Sequence, residues 1–374
     1  MRVVEVTSLK GLGSHAAAWD RLAFCSPQRL PMLSHAWIST YLEYYLTPGI
    51  PWVCLFAYND DSELVGVLPV VIESCRVMGT RCARLRLNLL ENADMVIAEG
   101  LERPVIATLL SALEKKSPNW FCLEFDEVPE ESATMKYVEC IKKAGFCVDS
   151  PAGNGSFIKI QGTYPEFLNS LSPHFARNLR RVGRKIDQQC EVQMLFLGSE
   201  TPEEHLRRFM KVEASGWKGQ MGNAIQRSAR SMAYYEVLVR RLAEKGWLEW
   251  HFLAADGKTL AGHMGIKMGR SLVLYKIAYD EAYSAFAPGN VLMASTIERA
   301  FNSGDTDEIN CLTDYPWNRN WQMLLRPYRN LRVYRHSFLP LTCGYLPGKA
   351  RKAVREVRGV RPLLGTIRRQ FLDR

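Results

Sequence analysis

The order of the predicted secondary-structure elements is the feature that most limits how this chain can fold. Each half of the 374 residues shows a strand, two helices, three antiparallel strands, a helix and a strand. In the second half, Asp256-Gly257 predicts a tight hairpin, and Gly304 predicts the end of a helix over residues 290–302. We interpret the repeated order as an internal structural repeat. The expected fold class is therefore α/β, with mixed sheets in two tandem units.

The turn-rich segment 151–156 marks the expected boundary between these units. We assign residues 1–160 to an N-terminal domain, residues 161–345 to a C-terminal domain and residues 346–374 to a basic tail. The tail places apolar residues at three- and four-residue steps between arginines, which is typical of an amphipathic helix on an anionic membrane. Packing of the tail against the protein's own surface is the alternative.

Composition excludes several classes of protein. A hydrophobic content of 47% and a charged content of 23% exclude a disordered or fibrous chain. The longest uncharged apolar run, Leu64 to Ile72, is too short to span a membrane, and the first residues lack the apolar block of a signal peptide. The ten cysteines form no C-x-x-C pair, so we expect buried thiols in a reducing cytoplasm and no bound metal.

The positive charge is concentrated in two segments. The net charge is +9, of which residues 174–187 carry +4 and residues 349–374 carry +7, so the remainder is −2. In the first segment Arg177 and Arg181 belong to a stripe of basic residues at helical spacing. Phosphate groups, an anionic membrane surface and RNA are all expected partners for such a stripe, and a solvated helix face remains the alternative.

The stretch from residue 271 to residue 300 has the pattern of a phosphate-binding site. A strand over residues 271–279 is followed by Ala287-Pro288-Gly289-Asn290, which opens a helix. The first turn of a helix offers free N–H groups and the positive end of the helix dipole, and both favour a pyrophosphate. The alternative is an ordinary helix N-terminus that binds no ligand, which is consistent with the same residues.

These residues resemble a known family. The segments Tyr275-Lys276-Ile277-Ala278-Tyr279-Asp280 and Ala287-Pro288-Gly289-Asn290-Val291-Leu292 resemble the core signature of the cellulose-biosynthesis (CelD-like) branch of the GNAT acyltransferases. The segment Glu213-Ala214-Ser215-Gly216-Trp217-Lys218-Gly219 is similar to another landmark of that family. The duplicated order resembles the Fem peptidyltransferases. The resemblance implies two tandem GNAT-like domains, of which the N-terminal one is degenerate.

The resemblance also implies an acyl-CoA donor, acetyl-CoA or another, lying between the strand over 271–279 and a strand over 309–312. Backbone groups of the first strand would hold the pantetheine arm, and the turn before the helix would hold the pyrophosphate. An amine would attack the thioester directly, and strand N–H groups would stabilise the oxyanion. The implied cofactor-binding residues are Ile277, Ala278, Tyr279, Ala287, Pro288, Gly289, Asn290 and Val291.

Glu213 is the first candidate for the base or for an acceptor-binding carboxylate. It lies near the end of a helix that Thr201 and Glu204 predict to begin with a capping box. Trp217 is four residues further on, and Lys218 can pair with Glu213 or with an acidic substrate. A solvated glutamate beside a core tryptophan, and an exposed lysine, are the alternatives.

Other candidates depend on the strands. Tyr275 is a candidate donor to the departing thiolate, although such tyrosines are commonly packing residues. His263 and Trp317 are candidate substrate-binding residues, together with Arg177, Arg181 and Trp217. If Asp256-Gly257 is a two-residue turn, Trp250 pairs with His263 and Gly262 pairs with His251. The two histidines would then face opposite sides of the sheet, which favours a structural role for each.

The sequence departs from the family at Asn310 and Asn318, where the family usually shows an aspartate and a lysine. Asp314 is a candidate substitute, and the activity is expected to be altered or lost.

The leading hypothesis is a cytoplasmic acyl-CoA-dependent N-acyltransferase, acting on an amine of a sugar, an envelope precursor or a small metabolite. A Fem-like transferase that uses aminoacyl-tRNA, and a non-catalytic binding module, are the alternatives. Peripheral contact with the inner membrane face would follow from the basic tail.

Overall fold

The computed structural model describes residues 1–87, 92–216 and 224–358, with the backbone alone for 355–358. Contacts between residues divide the chain into two units. Among the described residues, the first unit is Met1–Gly153 together with 326–358, and the second unit is Asn154–Leu325. Residues 326–345, assigned above to the C-terminal domain, group with the first unit, because the strand Leu324–Arg335 pairs with Trp120–Pro129.

The strands follow one another along both units. In chain order they are β1 (Arg2–Val6), β2 (Trp52–Tyr58), β3 (Leu64–Val77), β4 (Thr80–Arg86), β5 (Val96–Ile97), β6 (Trp120–Pro129), β7 (Gly145–Lys159), β8 (Val192–Leu197), β9 (Leu248–Ala255), β10 (Lys258–Met268), β11 (Ser271–Tyr279), β12 (Glu308–Asn310) and β13 (Leu324–Arg335).

The helices lie between these strands. In chain order they are α1 (Leu9–Gly13), α2 (Ala16–Cys25), α3 (His35–Tyr44), α4 (Glu102–Lys116), α5 (Ala133–Lys136), α6 (Val138–Ile141), α7 (Tyr164–Ser170), α8 (Pro173–Gln189), α9 (Pro202–Ser215), α10 (Ala229–Ala243), α11 (Pro288–Ser303) and α12 (Leu346–Arg358). Short helical segments of one or two turns occur at Pro31–Leu33, Ile225–Arg227, Glu281–Phe286, Pro316–Trp321, Phe338–Pro340 and Leu341–Tyr345.

The first unit is built on a mixed sheet in the order β1-β2-β3-β4-β6-β13-β7. Strands β1 to β4 pair antiparallel, whereas β4 and β6 are parallel. Helix α4 covers β2 and β3 with an apolar face, because Val105, Ile106, Leu109, Leu110 and Leu113 recur every three or four residues and are buried. Full burial of one such side chain stabilises the fold by roughly 1.5–3 kcal/mol.

The second unit has its own mixed sheet, in the order β7-β12-β11-β10-β9-β8, to which β7 contributes its residues from Asn154 onward. Strand β12 is parallel to β11, and the remaining pairs are antiparallel. Helix α11 packs on β9 and β10, and α9 packs on β10 and β11. Helix α11 ends where Gly304 adopts φ +68°, as predicted, because glycine tolerates the left-handed conformation.

The start of α9 differs from the prediction. Proline 202 occupies the first turn as expected, but Thr201 has φ +45° and its side chain makes no capping hydrogen bond. The predicted capping box is wrong, since the left-handed backbone of Thr201 does not present its hydroxyl to the first-turn N–H groups. The acidic residues of this turn still lie at the positive end of the helix dipole.

Candidate functional site

A cavity of about 410 Å³ lies in the second unit, where β11 ends and α11 begins. Ligand pockets commonly fall in the range of about 300–1,000 Å³. The wall combines residues of α9, β10, β11, the turn before α11, α11 itself and the turn at Pro316–Trp321. The lining residues are Glu213, Gly216, His263, Ile277, Ala278, Tyr279, Ser284, Ala287, Gly289, Asn290, Met293 and Trp317.

The separation of two parallel strands makes room for this cavity. Strand β11 pairs with β12 only over Ser271–Val273, opposite Glu308–Asn310, and the pairing stops there. Within the described residues, the later part of β11 has no strand partner on that side. Because strand N–H and C=O groups alternate in direction, every second residue there directs its backbone polar groups into this gap. The sequence resemblance predicts a donor on this side of β11.

The first turn of α11 forms the opposite wall. Ala287 precedes the helix with φ +46°, and its carbonyl accepts the N–H groups of Asn290 and Val291 at 2.9 and 3.1 Å. The N–H of Gly289 is therefore the donor that this turn leaves for a ligand in the cavity. A Cβ on Gly289 would lie 3.4 Å from Cδ1 of Tyr279, so these two residues lie side by side in the cavity wall.

Glu213 brings a buried carboxyl group into the cavity from the last turn of α9. Its side chain is 2% exposed, and Oε2 accepts the backbone N–H of Ile225 at 2.9 Å. A Cβ on Gly216, just after the helix, would lie 3.0 Å from the carbonyl oxygen of Tyr279, so the end of α9 approaches the end of β11 closely. The predicted site residues Trp217 and Lys218 lie outside the described residues.

The histidine register differs from the prediction. His251 on β9 is the direct partner of His263 on β10, because the pairing shifts by one residue between Thr259 and Ala261. The two rings therefore lie on the same face, with centroids 6.2 Å apart. The prediction that they face opposite sides is wrong, since it assumed an unbroken register from the Asp256-Gly257 turn.

A buried hydroxyl group lies between these histidines. Oγ1 of Thr296 on α11 is 3.0 Å from Nδ1 of His251 and 3.2 Å from Nδ1 of His263. Nε2 of His251 is 3.4 Å from Oε2 of Glu249. Burial, with a smaller effect of His251, lowers the pKa of His263 to about 3. Burial also lowers the pKa of His251, although its contact with Glu249 opposes this effect. Both rings are therefore neutral at pH 7.

Several predicted site residues do not line the cavity. The hydroxyl of Tyr275 is 3.1 Å from that of Tyr235, and Pro288 and Val291 are buried beside the cavity wall. Asp314 is half-buried in the loop after β12. Arg177 and Arg181 lie on the exposed face of α8, and Arg181 donates to Asn178 at 2.8 Å.

The two asparagines that depart from the family have hydrogen bonds to the loop after β12. Oδ1 of Asn310 accepts the N–H of Leu312 at 2.9 Å, and Nδ2 of Asn318 donates to the carbonyl of Thr313 at 2.7 Å and to the Ser156 hydroxyl. Both side chains are fully buried. They fix the chain that leads to Trp317, and neither lines the cavity.

Ser284, Met293, Thr296 and Glu249 were not predicted from the sequence, and His251 was expected to have a structural role. Met293 looks like any apolar helix residue, and Ser284 lies in a turn without a pattern. A signal existed for Thr296, because it is a polar residue on the face of α11 that carries Val291, Leu292 and Ile297. The contacts of His251 and Glu249 depend on the strand shift, which periodicity does not reveal.

Residues 173–319 match the family model described as "Acetyltransferase (GNAT) domain". The matched residues lie within the second unit, which is therefore similar over this range to GNAT acetyltransferase domains. The crystal structure of FemX is similar over 88% of this chain and 97% of its own, with a TM-score of 0.59 and 11% identity. The crystal structure of a conserved protein of unknown function from Bacteroides thetaiotaomicron VPI-5482 is similar over 88% of this chain and 98% of its own, with a TM-score of 0.53 and 14% identity. No curated protein sequence matches.

At these identities the solved structures bear on the fold alone. The predicted fold class, mixed α/β with two tandem GNAT-like units, is confirmed. The finer resemblance to the CelD-like branch stays a prediction. Among the described residues, no helix is both long and apolar enough to cross a membrane, and no group of histidine, cysteine and acidic side chains could hold a metal ion.

Proposed function

We propose that the chain is an N-acyltransferase that moves an acyl group directly from a CoA thioester to an amine. The observation that carries the proposal is the cavity between the unpaired side of β11 and the first turn of α11, with the buried carboxyl group of Glu213 in its wall. The match of residues 173–319 to an acetyltransferase family supports the reaction class. The sugar, envelope or metabolite nature of the acceptor rests on the CelD-like resemblance.

The donor would lie along β11. Backbone groups of Ile277 to Tyr279 would bind the pantetheine amides and then the oxyanion, while the N–H of Gly289 and the dipole of α11 would bind the pyrophosphate. Such N–H groups are already oriented by the sheet, so they stabilise developing charge without reorganisation. Glu213 would bind the acceptor as an ammonium ion and take its first proton, since a carboxylate favours a cation in a site shielded from water.

The test is a titration with CoA, acetyl-CoA and longer acyl-CoAs, read by calorimetry and thermal shift. We expect at least one thioester to bind, and we expect Gly289→Leu to weaken it by about tenfold or more, about 1.4 kcal/mol. The matched control is Gly13→Leu, on a helix of the first unit where a Cβ meets nothing within 4 Å. Failure of every acyl-CoA to bind the wild type would contradict the proposal.

The exposed arginines of α8 favour one second candidate, a transferase that takes its acyl group from aminoacyl-tRNA. Among the described residues, Arg177, Arg180, Arg181 and Arg184 have no carboxylate partner, so their charge is available to a polyanion. Binding of tRNA that weakens steeply with salt, together with no binding of acyl-CoA, would favour this donor. Binding of acyl-CoA without tRNA would exclude it.

Membrane contact through the basic tail is a further proposal. In its described part, Lys352 of α12 donates to Asp149 at 2.7 Å, so this part of α12 packs on the first unit, which was the alternative for the tail. The rest of the predicted basic tail, from residue 359 onward, lies outside the described residues.

A further inference from the structure

The cavity is connected to the protein surface by a line of four polar side chains. His263 lines the cavity, and Nδ1 of its ring meets the Thr296 hydroxyl. The same hydroxyl meets Nδ1 of His251, whose Nε2 reaches the carboxyl group of Glu249. His263, Thr296 and His251 are each at most 2% exposed, whereas the side chain of Glu249 is 28% exposed. The line therefore runs from the cavity to solvent.

The chemistry of these groups fixes the direction of each hydrogen bond. Contact with His251 lowers the pKa of Glu249, so its carboxylate is ionised and can only accept a proton from Nε2 of His251. Nδ1 of the neutral His251 ring is then an acceptor, and the hydroxyl proton of Thr296 must point to it. Because a hydroxyl has one proton, Thr296 can only accept from His263, which places the His263 proton on Nδ1.

This assignment leaves Nε2 of His263 as an unprotonated acceptor. It has no hydrogen-bond partner among the described residues, and it belongs to a ring in the cavity wall. A buried imidazole nitrogen with a free lone pair is suited to accept a proton from a reacting group.

We propose that Glu249, His251, Thr296 and His263 form a proton relay that serves acyl transfer in the cavity. The inference rests on the proposed function, and it assigns the residue that removes the second proton of the acceptor amine. His263 is the catalytic residue of the relay, while Thr296, His251 and Glu249 position it and carry the proton onward.

The relay accounts for every proton and bond in the transfer. The amine nitrogen, freed of its first proton by Glu213, forms the C–N bond, and the C–S bond breaks with its electron pair leaving on sulfur. The nitrogen gives its second proton to Nε2 of His263, and Nδ1 of His263 gives its proton to the hydroxyl oxygen of Thr296. The hydroxyl proton of Thr296 moves to Nδ1 of His251, and the proton on Nε2 of His251 moves to the carboxylate of Glu249. The reverse shift protonates the thiolate and restores the starting tautomers. Glu213 releases its proton when the products leave.

Each ring accepts one proton as it gives another, so neither becomes an imidazolium. This matters because burial disfavours the cation at both histidines, and the charges of Lys267 and Arg299 oppose it further at His251. A single buried histidine would have to hold the positive charge, whereas the relay ends on a carboxylate at the surface.

The proposal is tested on the full chain with Thr296→Val, which keeps the shape of the side chain and removes the hydroxyl, and with Thr296→Ser, which keeps the hydroxyl. Thr40→Val is the matched control, because Thr40 is also a fully buried helix threonine with a hydroxyl hydrogen bond, in the first unit. The first readout is ¹⁵N NMR of the imidazoles, which reports the protonated nitrogen of each ring and requires no substrate.

In the wild type and in Thr296→Ser, we expect the proton on Nδ1 of His263 and on Nε2 of His251. In Thr296→Val we expect His263 to lose this preference. A wild-type His263 protonated on Nε2, or an unchanged tautomer in Thr296→Val, would overturn the relay.

The second readout is thiol release from acetyl-CoA with a panel of primary amines. We expect Thr296→Val to lower kcat by about 10²-fold or more with an unchanged KM for acetyl-CoA, and Thr296→Ser and Thr40→Val to stay close to the wild type. Equal kcat values in Thr296→Val and the wild type would refute the relay while leaving the transferase assignment intact. Absence of acyl-CoA binding in the wild type would instead remove the transferase assignment.

Discussion

Oε2 of Glu213 accepts the backbone N–H of Ile225 at 2.9 Å while the same side chain lines the cavity. One carboxyl group thus joins α9 to the turn at Ile225–Arg227 and provides negative charge to the site. These two roles can be separated by mutation, because an amide oxygen can replace the hydrogen-bond acceptor without replacing the charge.

Glu213→Gln is expected to keep the hydrogen bond to Ile225 and to lower acyl transfer by about 10²-fold, since the acceptor ammonium loses its counter-charge and its base. Glu213→Ala should in addition lower the free energy of unfolding by about 1–3 kcal/mol, because the buried N–H of Ile225 loses its acceptor. Urea denaturation and steady-state kinetics measure the two effects. Unchanged turnover in Glu213→Gln would exclude Glu213 from the reaction.

Glycine 66 allows α4 to approach β3 closely. A Cβ at this position would overlap Cγ1 of Val105 and lie 3.2 Å from Cδ1 of Leu109, both of which are buried. Gly66→Ala is therefore expected to lower the free energy of unfolding by about 1–3 kcal/mol, as overpacking of a core does. Gly13→Ala is the control. Because this position is helical and a Cβ there meets nothing within 4 Å, alanine should raise the free energy of unfolding by about 0.5 kcal/mol. Urea denaturation of both variants gives the comparison, and equal values would contradict the tight packing.

Local signals in the sequence predicted much of this structure. Strand β11 has the predicted bounds, and helix α11 ends before Gly304 as predicted, because an apolar run and a glycine cap are local signals of a single element. The cavity was also predictable in part, since Ile277 to Tyr279 and Ala287 to Asn290 belong to two short segments joined by one turn.

What could not be predicted depends on register and on contacts distant in sequence. One shifted residue between Thr259 and Ala261 turns His251 and His263 to the same face, and no residue type marks that shift. Thr296 meets both rings, although it is more than thirty residues away from either in the chain. Periodicity describes single elements, so a cluster built by three elements lies beyond it.

Cysteines 75 and 82 are direct partners across the hairpin of β3 and β4, and their sulfur atoms lie 3.3 Å apart. Diamide, a thiol oxidant, is expected to join them in a disulfide with the loss of two hydrogen atoms. Burial, together with Cys75, raises the pKa of Cys82 to about 11, so the thiolate is scarce at pH 7 and the reaction should accelerate as the pH rises. Mass spectrometry after alkylation measures the pair. Cys82→Ser is the control, and alkylation of both thiols after treatment with diamide would contradict the prediction.

Asp149 joins β13 to α12 within the first unit, because its carboxylate accepts from both Arg329 and Lys352. Burial alone would raise the pKa of Asp149, but the hydrogen bonds from Lys352 and Arg329 outweigh it and hold the pKa at about 2. An unfolded aspartate has a pKa of about 3.9. The carboxylate therefore contributes its full stability above about pH 4, and this contribution is lost as the pH falls through about 2.

Asp149→Asn is accordingly expected to be less stable than the wild type at pH 7, with the difference in unfolding free energy shrinking between about pH 5 and pH 3. Urea denaturation at a series of pH values measures this difference. Asp61→Asn, in an exposed turn, is the matched control for the loss of one carboxylate at the surface. If the Asp149→Asn difference were the same at pH 7 and pH 3, the two cations would not be acting through the ionised carboxylate, and the link between β13 and α12 would rest on packing.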